Sequence, residues 1–539
     1  MALGADVRSR PDNQPPDKHV ESRFVTCLDG GSSPPSSTEE EVRRDLFLLL
    51  YPRKNVIKHE SNPYKNVIFI IFIHVKMQIF LFDSKKNCIF AFQKKHTRNK
   101  TNTMERLIYN DLAEWKSRTD HKPLILLGAR QVGKTYILKQ FGAREFENMV
   151  YVNCHLNEFT NTLFRDLDVH RITTEVRRYY DQPIVAGKTL LVFDEIQEAP
   201  NGIASLKYFC EEMPELHVAA AGSLLGISLR SNESYPVGKV NTLRMFPMTF
   251  SEFLLAKGRT GLCEVVGELA WDSMKAMNED FTELLREYYF TGGMPEAVKK
   301  YIDTGDVNKV REVQHEILEA YEFDISKHTK SQAERIRQVW RSIPAQLARE
   351  NKKFIFGAVR KGARATTFEE SIQWLVDAGL VYKVERVREP SMPLKFYADG
   401  DAFKLFVLDC GLLACMAEAN PTHMLLGMEA FTEFKGSFTE NYVAQQMRAA
   451  GMQSLYYYSK DRSTMEVDFL VQGPERAVPV EVKAAENVRS KSLSPFVQHD
   501  FANLNLKGLR ISMRPYINQE WMENIPLYST ESYIRTLLK

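Results

Sequence analysis

The chain has 539 residues, more than one ordinary folded core holds, and this length predicts about two to four domains. Charged residues make up 26% of the chain but the formal net charge is only +2, so composition gives no overall argument for nucleic-acid binding. The seven cysteines are scattered without a C-x-x-C pair, which argues against a disulfide framework or a thiolate zinc site and predicts a reducing, cytoplasmic location.

Residues 1–103 differ in composition from the rest of the chain. Their first part is rich in Pro, Ser, Gly and charge, and such a composition cannot bury enough apolar surface to fold. The second part is dominated by Ile, Phe, Lys and Asn, and its apolar run at 67–73 is too short to span a membrane. We interpret 1–103 as a spurious read-through of non-coding sequence, with Met104 as the working start. The alternative is a disordered tail with a short apolar hairpin.

A phosphate-binding loop is the most specific pattern in the chain. Eight consecutive residues match the pattern G-x-x-x-x-G-K-[ST]: Gly128, Ala129, Arg130, Gln131, Val132, Gly133, Lys134 and Thr135. The apolar run Leu124–Leu127 predicts a buried strand before the loop, and residues 136–140 predict a helix after it. This order turns backbone N–H groups and the helix N-terminus toward phosphate oxygens. We expect Lys134 to reach the terminal phosphates and Thr135 to bind Mg²⁺; the alternative is a glycine turn with an exposed lysine.

Two acids follow a second buried strand at 189–193. Acids at the carboxyl end of a parallel strand face the nucleotide crevice. We expect Asp194 to hold the Mg²⁺ and Glu195 to act as the general base toward water. The alternative is that both acids cap the next helix. A further strand at 218–221 leads to Ser223, which either senses the γ-phosphate or only forms a turn.

Four segments carry a family signature: GARQVGKT at 128–135, LVFDEIQ at 191–197, AGSLLG at 221–226 and FPMTFSEFL at 246–254. They resemble the AAA-type ATPases of bacteria and archaea that carry an uncharacterised C-terminal domain. The resemblance runs from about residue 104 to the end of the chain. It implies an additional-strand ATPase core in which the roles of the four site residues are kept: Lys134, Thr135, Asp194 and Glu195. It implies no known substrate.

The middle of the chain carries three further expectations. Residues 104–260 alternate strands and helices and predict the P-loop core, whereas 261–345 are helical and predict a lid over the nucleotide. Residues 346–432 predict a winged-helix-like module, with a protein-interaction module as the alternative. The candidate contacts to DNA phosphates in this module are Lys361, Arg364 and Arg386. The candidate arginine fingers, which follow the strand that leads to Ser223, are Arg230 and Arg244.

A second chemical pattern lies in residues 433–539. Glu440 falls in a predicted helix, Asp468 in a strand, and Glu481 and Lys483 in the next strand. Strand residues two apart share a face, so we expect Glu481 and Lys483 to point to the same side of the sheet. Asp468 on the neighbouring strand can lie next to them. Two carboxylates, Asp468 and Glu481, can hold a divalent metal that activates water. The pattern resembles the PD-(D/E)XK nuclease fold; the alternative is a structural Glu–Lys pair in a fold that has lost cleavage.

We therefore predict an α/β fold: a P-loop NTPase (AAA-type, parallel sheet), then a helical lid, a winged-helix-like module and an α/β restriction-endonuclease-like C-terminal domain. The predicted function is Mg²⁺-dependent ATP binding and hydrolysis, coupled to a nuclease-like, DNA-acting domain with a second divalent metal. The alternative is an ATP-dependent regulatory switch that binds a protein or DNA partner without cleaving it. A third alternative is an ATP-independent scaffold. We expect no membrane contact.

Overall fold

The structure, a computed structural model, describes residues 104–539 except 156–157, 224–235, 351, 427–428, 461–462, 464 and 485–491, and it leaves out the side chains of 426–434. The interpretation of residues 1–103 and the candidate Arg230 lie outside the described residues. Across the described part of the chain, no helix combines the length and the apolar character that a membrane crossing requires.

A five-stranded parallel sheet forms the N-terminal part. Its strands are β1 (Leu124–Leu127), β2 (Asn148–Asn153), β3 (Thr189–Asp194), β4 (His217–Ala221) and β5 (Asn241–Arg244). They lie in the order β2-β3-β4-β1-β5, with parallel pairing throughout. The additional strand β4 thus separates the strand before the phosphate loop from the strand that carries the acids. The central strands β1, β3 and β4 are wholly buried, as expected for a parallel sheet covered on both faces.

Helices cover this sheet: α1 (Ile108–Ser117), α2 (Lys134–Glu145), α3 (Glu158–Leu163), α4 (Val169–Tyr180) and α5 (Gly202–Glu212). Helix α4 shows why they form. Asp168 caps it by accepting two backbone N–H groups, and Val169, Ile172 and Val176 repeat at helical spacing and are buried in the core beside the sheet. Each such side chain stabilises the fold by about 1.5–3 kcal/mol when fully buried.

A helical segment follows, as its periodicity predicts: α6 (Phe250–Ala256), α7 (Thr260–Gly267), α8 (Trp271–Ala276), α9 (Asn278–Thr291), α10 (Pro295–Thr304), α11 (Val307–Ser326) and α12 (Lys330–Leu347). Helix α9 is followed by Gly292, whose φ of +73° favours glycine, and Pro295 is the first residue of α10. The break between the two helices therefore follows from local residue chemistry.

The C-terminal part forms an eight-stranded mixed sheet. Its strands are β6 (Val381–Val387), β7 (Ala398–Val407), β8 (Leu455–Ser459), β9 (Glu466–Gln472), β10 (Ala477–Lys483), β11 (Gly508–Ser512), β12 (Ile517–Asn518) and β13 (Met522–Pro526). The order is β12-β13-β11-β10-β9-β8-β6-β7. Its helices are α13 (Phe356–Val359), α14 (Ala365–Asp377), α15 (Cys410–Met416), α16 (Pro421–Leu426), α17 (Glu429–Ala449), α18 (Leu493–Pro495) and α19 (Thr530–Leu537).

This sheet continues across the boundary predicted after residue 432. Strand β6, from the segment expected to form a winged-helix-like module, pairs in parallel with β8, and Val384 lies beside Leu455. Pairing satisfies the backbone groups along that side of β6, which a separate two-stranded hairpin would leave open. Helix α17 packs against β7 and β10 and so bridges strands from both predicted segments.

Candidate nucleotide site and acidic cluster

The phosphate-binding loop joins β1 to α2. Its backbone takes positive φ at Gly128 (+155°), Gln131 (+65°) and Gly133 (+98°). A Cβ atom at Gly128 would lie only 2.4 Å from the carbonyl oxygen of Met245, so no larger residue fits there without a shift. The loop is therefore held directly against the chain that follows β5.

Lys134 lies inside the loop and is only 6% exposed, which excludes the alternative of an exposed lysine. Its ammonium group donates to the carbonyl oxygens of Gly128 (2.9 Å) and Ala129 (2.8 Å). Burial lowers the pKa of Lys134 to about 8, although the carboxylates of Glu195 and Asp194 oppose that shift. Phosphate oxygens would stabilise the charged ammonium better than two carbonyls do.

Asp194 and Thr135 meet at the end of β3. The Thr135 hydroxyl donates to Oδ2 of Asp194 at 2.6 Å, and the Tyr151 hydroxyl donates to the same oxygen at 2.7 Å. Asp194 is buried, and within the described residues it forms no ion pair. A hydroxyl and a carboxylate in contact are oxygen ligands of the kind Mg²⁺ prefers. These residues therefore fit the predicted Mg²⁺ site. No sequence motif indicated the contact of the Tyr151 hydroxyl with Asp194.

Glu195 lies beside the predicted sensor residue. Its Oε2 atom accepts hydrogen bonds from Gln197 Nε2 (2.6 Å), the Ser223 N–H (3.1 Å) and the Ser223 hydroxyl (3.2 Å). Neither acid caps α5, which begins after Asn201 and has no side-chain cap. The structure thus places Ser223 on the candidate base, and Gln197 is a contact that the sequence did not single out.

Two arginines fix the loop to distant parts of the chain. Arg106 donates to the carbonyl oxygens of Val132 (2.8 Å) and Phe246 (2.6 Å) and pairs with Glu252 at 3.1 Å, with both charged side chains buried. Because these partners lie far along the chain, no local pattern pointed to Arg106.

Arg130 connects the loop to helix α11. Its guanidinium donates to Asp324 at 2.8 Å, and its carbonyl oxygen accepts the Tyr321 hydroxyl at 3.1 Å. The helical segment therefore touches the phosphate loop itself through both the side chain and the backbone of one loop residue.

The other predicted cationic contacts have different environments. Arg386 is not free for a phosphate, because its Nε donates to Oδ2 of Asp399 at 3.0 Å. Lys361 and Arg364 are exposed. Arg244 is also exposed, and the part of the chain that the structure describes gives it no hydrogen bond or ion pair.

The four residues predicted for the C-terminal site come together on α17, β9 and β10: Glu440, Asp468, Glu481 and Lys483. The antiparallel register of β9 and β10 pairs Phe469 with Val480, and beyond that pair the backbone N–H of Val482 donates to Oδ2 of Asp468 at 2.7 Å. The ammonium of Lys483 lies 3.1 Å from Oε1 of Glu481. Burial raises the pKa of Asp468 to about 7, and the neighbouring Glu440 adds to the rise.

Two further lysines, which the sequence did not indicate, belong to this acidic cluster. Lys352 donates to Oε1 of Glu440. Lys404 is fully buried, and its ammonium lies 3.8 Å from Oε2 of Glu440 and 2.5 Å from Oε1 of Glu466. Burial by itself raises the pKa of Glu440, but these two ammonium groups outweigh it and hold that pKa below its ordinary value. Burial lowers the pKa of Lys404, yet the two carboxylates outweigh it and raise that pKa.

The metal predicted at Asp468 and Glu481 has no support in this geometry. Among the described residues, no three His, Cys, Asp or Glu side chains are grouped so that they could hold a metal ion. The physical reason is that lysine ammonium groups, rather than open coordination positions, face the carboxylates of Glu440, Glu466 and Glu481.

Three stretches of the chain match known families. Residues 120–254 match a family described as an AAA domain. Residues 282–423 and 435–529 match two domains of unknown function, DUF8612 and DUF4143. None of the curated proteins matches the chain in sequence.

Solved structures similar to the chain share little sequence with it. The Orc1 protein of Aeropyrum pernix, solved in complex with DNA, is 13% identical, with 58% of this chain and 90% of that chain covered and a TM-score of 0.26. Cdc6p from Pyrobaculum aerophilum is 13% identical, with 61% and 97% covered and a TM-score of 0.22. A RuvB variant of Thermotoga maritima is 16% identical, with 51% and 87% covered and a TM-score of 0.22.

TM-scores this low support no conclusion about the fold or function of the chain. The family match, the β2-β3-β4-β1-β5 sheet and the loop between β1 and α2 are the findings that agree. Together they show that residues 120–254 are similar to the AAA domain family and have a P-loop fold.

Proposed function

We propose that the chain binds and hydrolyses ATP with Mg²⁺ between β1 and β3, and that the nucleotide state controls the C-terminal sheet. The observation that carries the ATPase proposal is the 2.6 Å hydrogen bond between Thr135 and Asp194. It brings the loop hydroxyl and the strand carboxylate to one point, where a single Mg²⁺ on the nucleotide would contact both.

Each side chain of this site has a defined task. The backbone N–H groups of the loop bind the phosphates, and Lys134 exchanges the carbonyl oxygens of Gly128 and Ala129 for phosphate oxygens. Bound Mg²⁺ neutralises part of the phosphate charge. Glu195 accepts a proton from the attacking water, and the contacts of its Oε2 atom with Gln197 and Ser223 orient the carboxylate for that step.

A continuous set of contacts leads from the phosphate loop to the C-terminal sheet. Gly128 lies against the carbonyl of Met245, and three residues later the carbonyl of Met248 accepts the Tyr288 hydroxyl. That hydroxyl accepts a hydrogen bond from Gln445 Nε2 at 2.9 Å, and Gln445 lies on α17. A shift of the loop on nucleotide binding would therefore displace tightly packed groups as far as α17.

Helix α17 supports the second half of this proposal. It carries Glu440 of the acidic cluster, and about one turn later it carries Gln445 and Gln446 at the ATPase core. Gln446 accepts the backbone N–H of Phe250 at 3.2 Å, and Gln445 donates to Asp409 at 3.1 Å. One rigid helix thus touches both regions. The contacts of Arg130 with α11 support the proposal that the helices at 261–345 act as a lid.

For the C-terminal sheet we propose the non-cleaving role: a surface that binds a protein or DNA partner under control of ATP. The pairing of Glu440, Glu466 and Glu481 with lysines supports this role, because a nuclease metal needs those carboxylates. Nuclease activity is the second candidate, favoured by the placement of Glu440, Asp468, Glu481 and Lys483 on adjoining elements.

Phosphate release from ATP by the full chain, with Mg²⁺, tests the ATPase proposal. We expect turnover by the native chain and a loss of about 100-fold in ATP affinity in Lys134→Ala, because hydrogen bonds to charged groups are worth about 1.5–3 kcal/mol each. Lys188→Ala, which removes a surface ion pair with Glu147, is the matched control and should behave as the native chain. Unchanged ATP affinity in Lys134→Ala would refute the proposed site.

Amide hydrogen exchange of α17, with and without ATP, tests the coupling. We expect ATP to change exchange in α17 of the native chain and of Gln182→Ala, an exposed control. In Gln445→Ala the response should shrink while ATP affinity is kept. If α17 responds equally in both variants, the contact through Tyr288 does not carry the coupling.

Incubation of supercoiled plasmid with the full chain and Mn²⁺ separates the two roles of the C-terminal sheet. The non-cleaving role predicts no nicking beyond that of Asp468→Asn. Nicking that Asp468→Asn abolishes would establish the nuclease role instead.

A further inference from the structure

The acidic cluster carries almost as much positive as negative charge. Its acids are Glu440, Glu466, Asp468 and Glu481, and its lysines are Lys352, Lys404 and Lys483. With Asp468 ionised, four carboxylates and three ammonium groups leave a single negative charge, which the guanidinium of Arg510 beside Glu481 offsets. With Asp468 protonated, as its pKa of about 7 allows, the set has no excess negative charge to offset. A divalent cation that entered this cluster would therefore find its carboxylate charges already neutralised.

Lys404 is the central positive group of this set. Its side chain starts on β7, is 0% exposed, and lies 4.8 Å from the ring centre of Tyr457 on β8. Its ammonium reaches Glu440 on α17 and Glu466 at the start of β9, and it also interacts with Asp468. A single buried ammonium thus links three acids from two elements, α17 and β9, as a metal ion does in a carboxylate site.

Two carboxylate oxygens in this cluster lack a hydrogen bond. Within the described residues, Oε2 of Glu440 and Oε2 of Glu481 are buried and accept none, and the former lies 3.8 Å from the Lys404 ammonium. Buried carboxylate oxygens without a donor need a nearby cation. For Glu440 that cation is an ammonium group.

We infer that Lys404 is the resident cation of the acidic cluster and that its ammonium takes the place of a divalent metal. The cluster is a lysine-locked site: Lys404 holds the acids of α17 and β9 together without a metal, and Lys483 pairs with Glu481 on β10. The inference deepens the proposed non-cleaving role of the same site. Its test measures metal binding rather than DNA cleavage or ATP turnover, so its failure is distinguishable from theirs.

Mn²⁺ binding to the full chain without nucleotide, followed by electron paramagnetic resonance, tests the inference. Lys404→Met keeps the length of the side chain and removes the charge. We expect it to bind Mn²⁺ at least about tenfold more tightly than the native chain, because the repulsion of an ammonium about 4 Å away is gone. Adding Asp468→Asn to Lys404→Met should remove the gained binding.

A neighbouring lysine provides the matched control. Lys383 on β6 pairs with Glu385 at 2.9 Å and touches none of the cluster acids in the described contacts. Lys383→Met should therefore gain no Mn²⁺ binding. Equal gains in Lys383→Met and Lys404→Met would overturn the inference, as would tight binding to the native chain that Asp468→Asn abolishes.

Folding of the variant gives an independent readout. Removal of Lys404 leaves Glu440 and Glu466 without their shared ammonium, so Lys404→Met should unfold at a lower temperature than the native chain. If the metal replaces the ammonium, Mn²⁺ should raise the unfolding temperature of Lys404→Met and leave that of the native chain unchanged. A variant that Mn²⁺ neither binds nor stabilises, whether or not it folds, contradicts the inference.

Discussion

Acidic side chains are held by hydroxyl groups at the nucleotide site and by ammonium groups at the acidic cluster. Asp194 accepts hydrogen bonds from Thr135 and Tyr151, whereas Glu440 and Glu466 face Lys404. A carboxylate that accepts hydrogen bonds from neutral donors keeps its negative charge for an incoming cation. The charge of a carboxylate paired with a buried ammonium group is already neutralised. The partners of an acid, more than its position on a strand, therefore decide whether it can bind a metal ion.

The largest expected effect is a loss of ATP turnover at the nucleotide site when the candidate base is replaced. Glu195→Gln should lower ATP turnover by about 100-fold to 10,000-fold, the usual contribution of a general base, while ATP affinity changes little. Single-turnover phosphate release and nucleotide binding measure the two quantities. Glu198→Gln, an exposed acid three residues later, is the control and should turn over ATP normally. Retained turnover in Glu195→Gln would remove Glu195 as the base.

A smaller effect is expected at the junction between the regions. Asp409 caps α15 by accepting the Leu412 N–H at 3.0 Å, and its other oxygen accepts the Gly293 N–H at 2.6 Å. Asparagine has only one acceptor oxygen there, so Asp409→Asn should leave a buried N–H unpaired and cost about 1–3 kcal/mol of unfolding free energy. Chemical denaturation measures it.

The control for Asp409→Asn is another capping aspartate. Asp306 caps α11 by accepting the Asn308 N–H at 2.9 Å in an exposed position, where asparagine caps equally well. Asp306→Asn should therefore leave stability unchanged. If both variants were equally stable, the junction would not depend on the second contact of Asp409.

The smallest expected effect lies at the end of the five-stranded parallel sheet where β4 begins, away from both sites. His121 and His217 stack with ring centres 3.9 Å apart, and His217 lies 3.3 Å from the carbonyl of Lys116. Burial, with smaller contributions from the charges of His121 and Lys116, lowers the pKa of His217 from 6.5 to about 4, although the hydrogen bond with the Lys116 carbonyl opposes the shift. The neutral ring is favoured in the folded state, so stability is present above pH 6.5 and is lost as the pH falls toward 4.

Urea unfolding at pH 7.5 and pH 5 measures this loss, which should be about 1–2 kcal/mol for the His217 contribution. His217→Phe keeps a ring in the stack and should reduce the loss. His170→Gln, at an exposed histidine, should leave it as in the native chain. A loss of the same size in His217→Phe would assign the acid sensitivity to other groups.

The local parts of the nucleotide site could be predicted from the sequence. Glycine spacing around Lys134 and the apolar run before Asp194 depend only on neighbouring residues, and the structure shows the expected strand, loop and helix. The hydroxyl of Tyr151 and the guanidinium of Arg106 could not be predicted, because each meets its partners only after distant segments have packed together.

The acidic cluster shows the same limit more strongly. The alternation of β9 and β10 was enough to place Asp468, Glu481 and Lys483 near one another. Lys404 could not be assigned to them, because β7 lay in a segment expected to form a separate module, and only the pairing of β6 with β8 brings it into the same sheet. Strand partners far apart in sequence leave no local pattern.

The most direct measurement of the central contrast is the number of Mn²⁺ ions bound per full chain with and without a slowly hydrolysed ATP analogue. We predict no tight Mn²⁺ binding without nucleotide and one bound Mn²⁺ with it, held through Thr135 and Asp194 and lost in Asp194→Asn. Tight Mn²⁺ in the absence of nucleotide that is kept in Asp194→Asn and lost in Asp468→Asn would contradict the account.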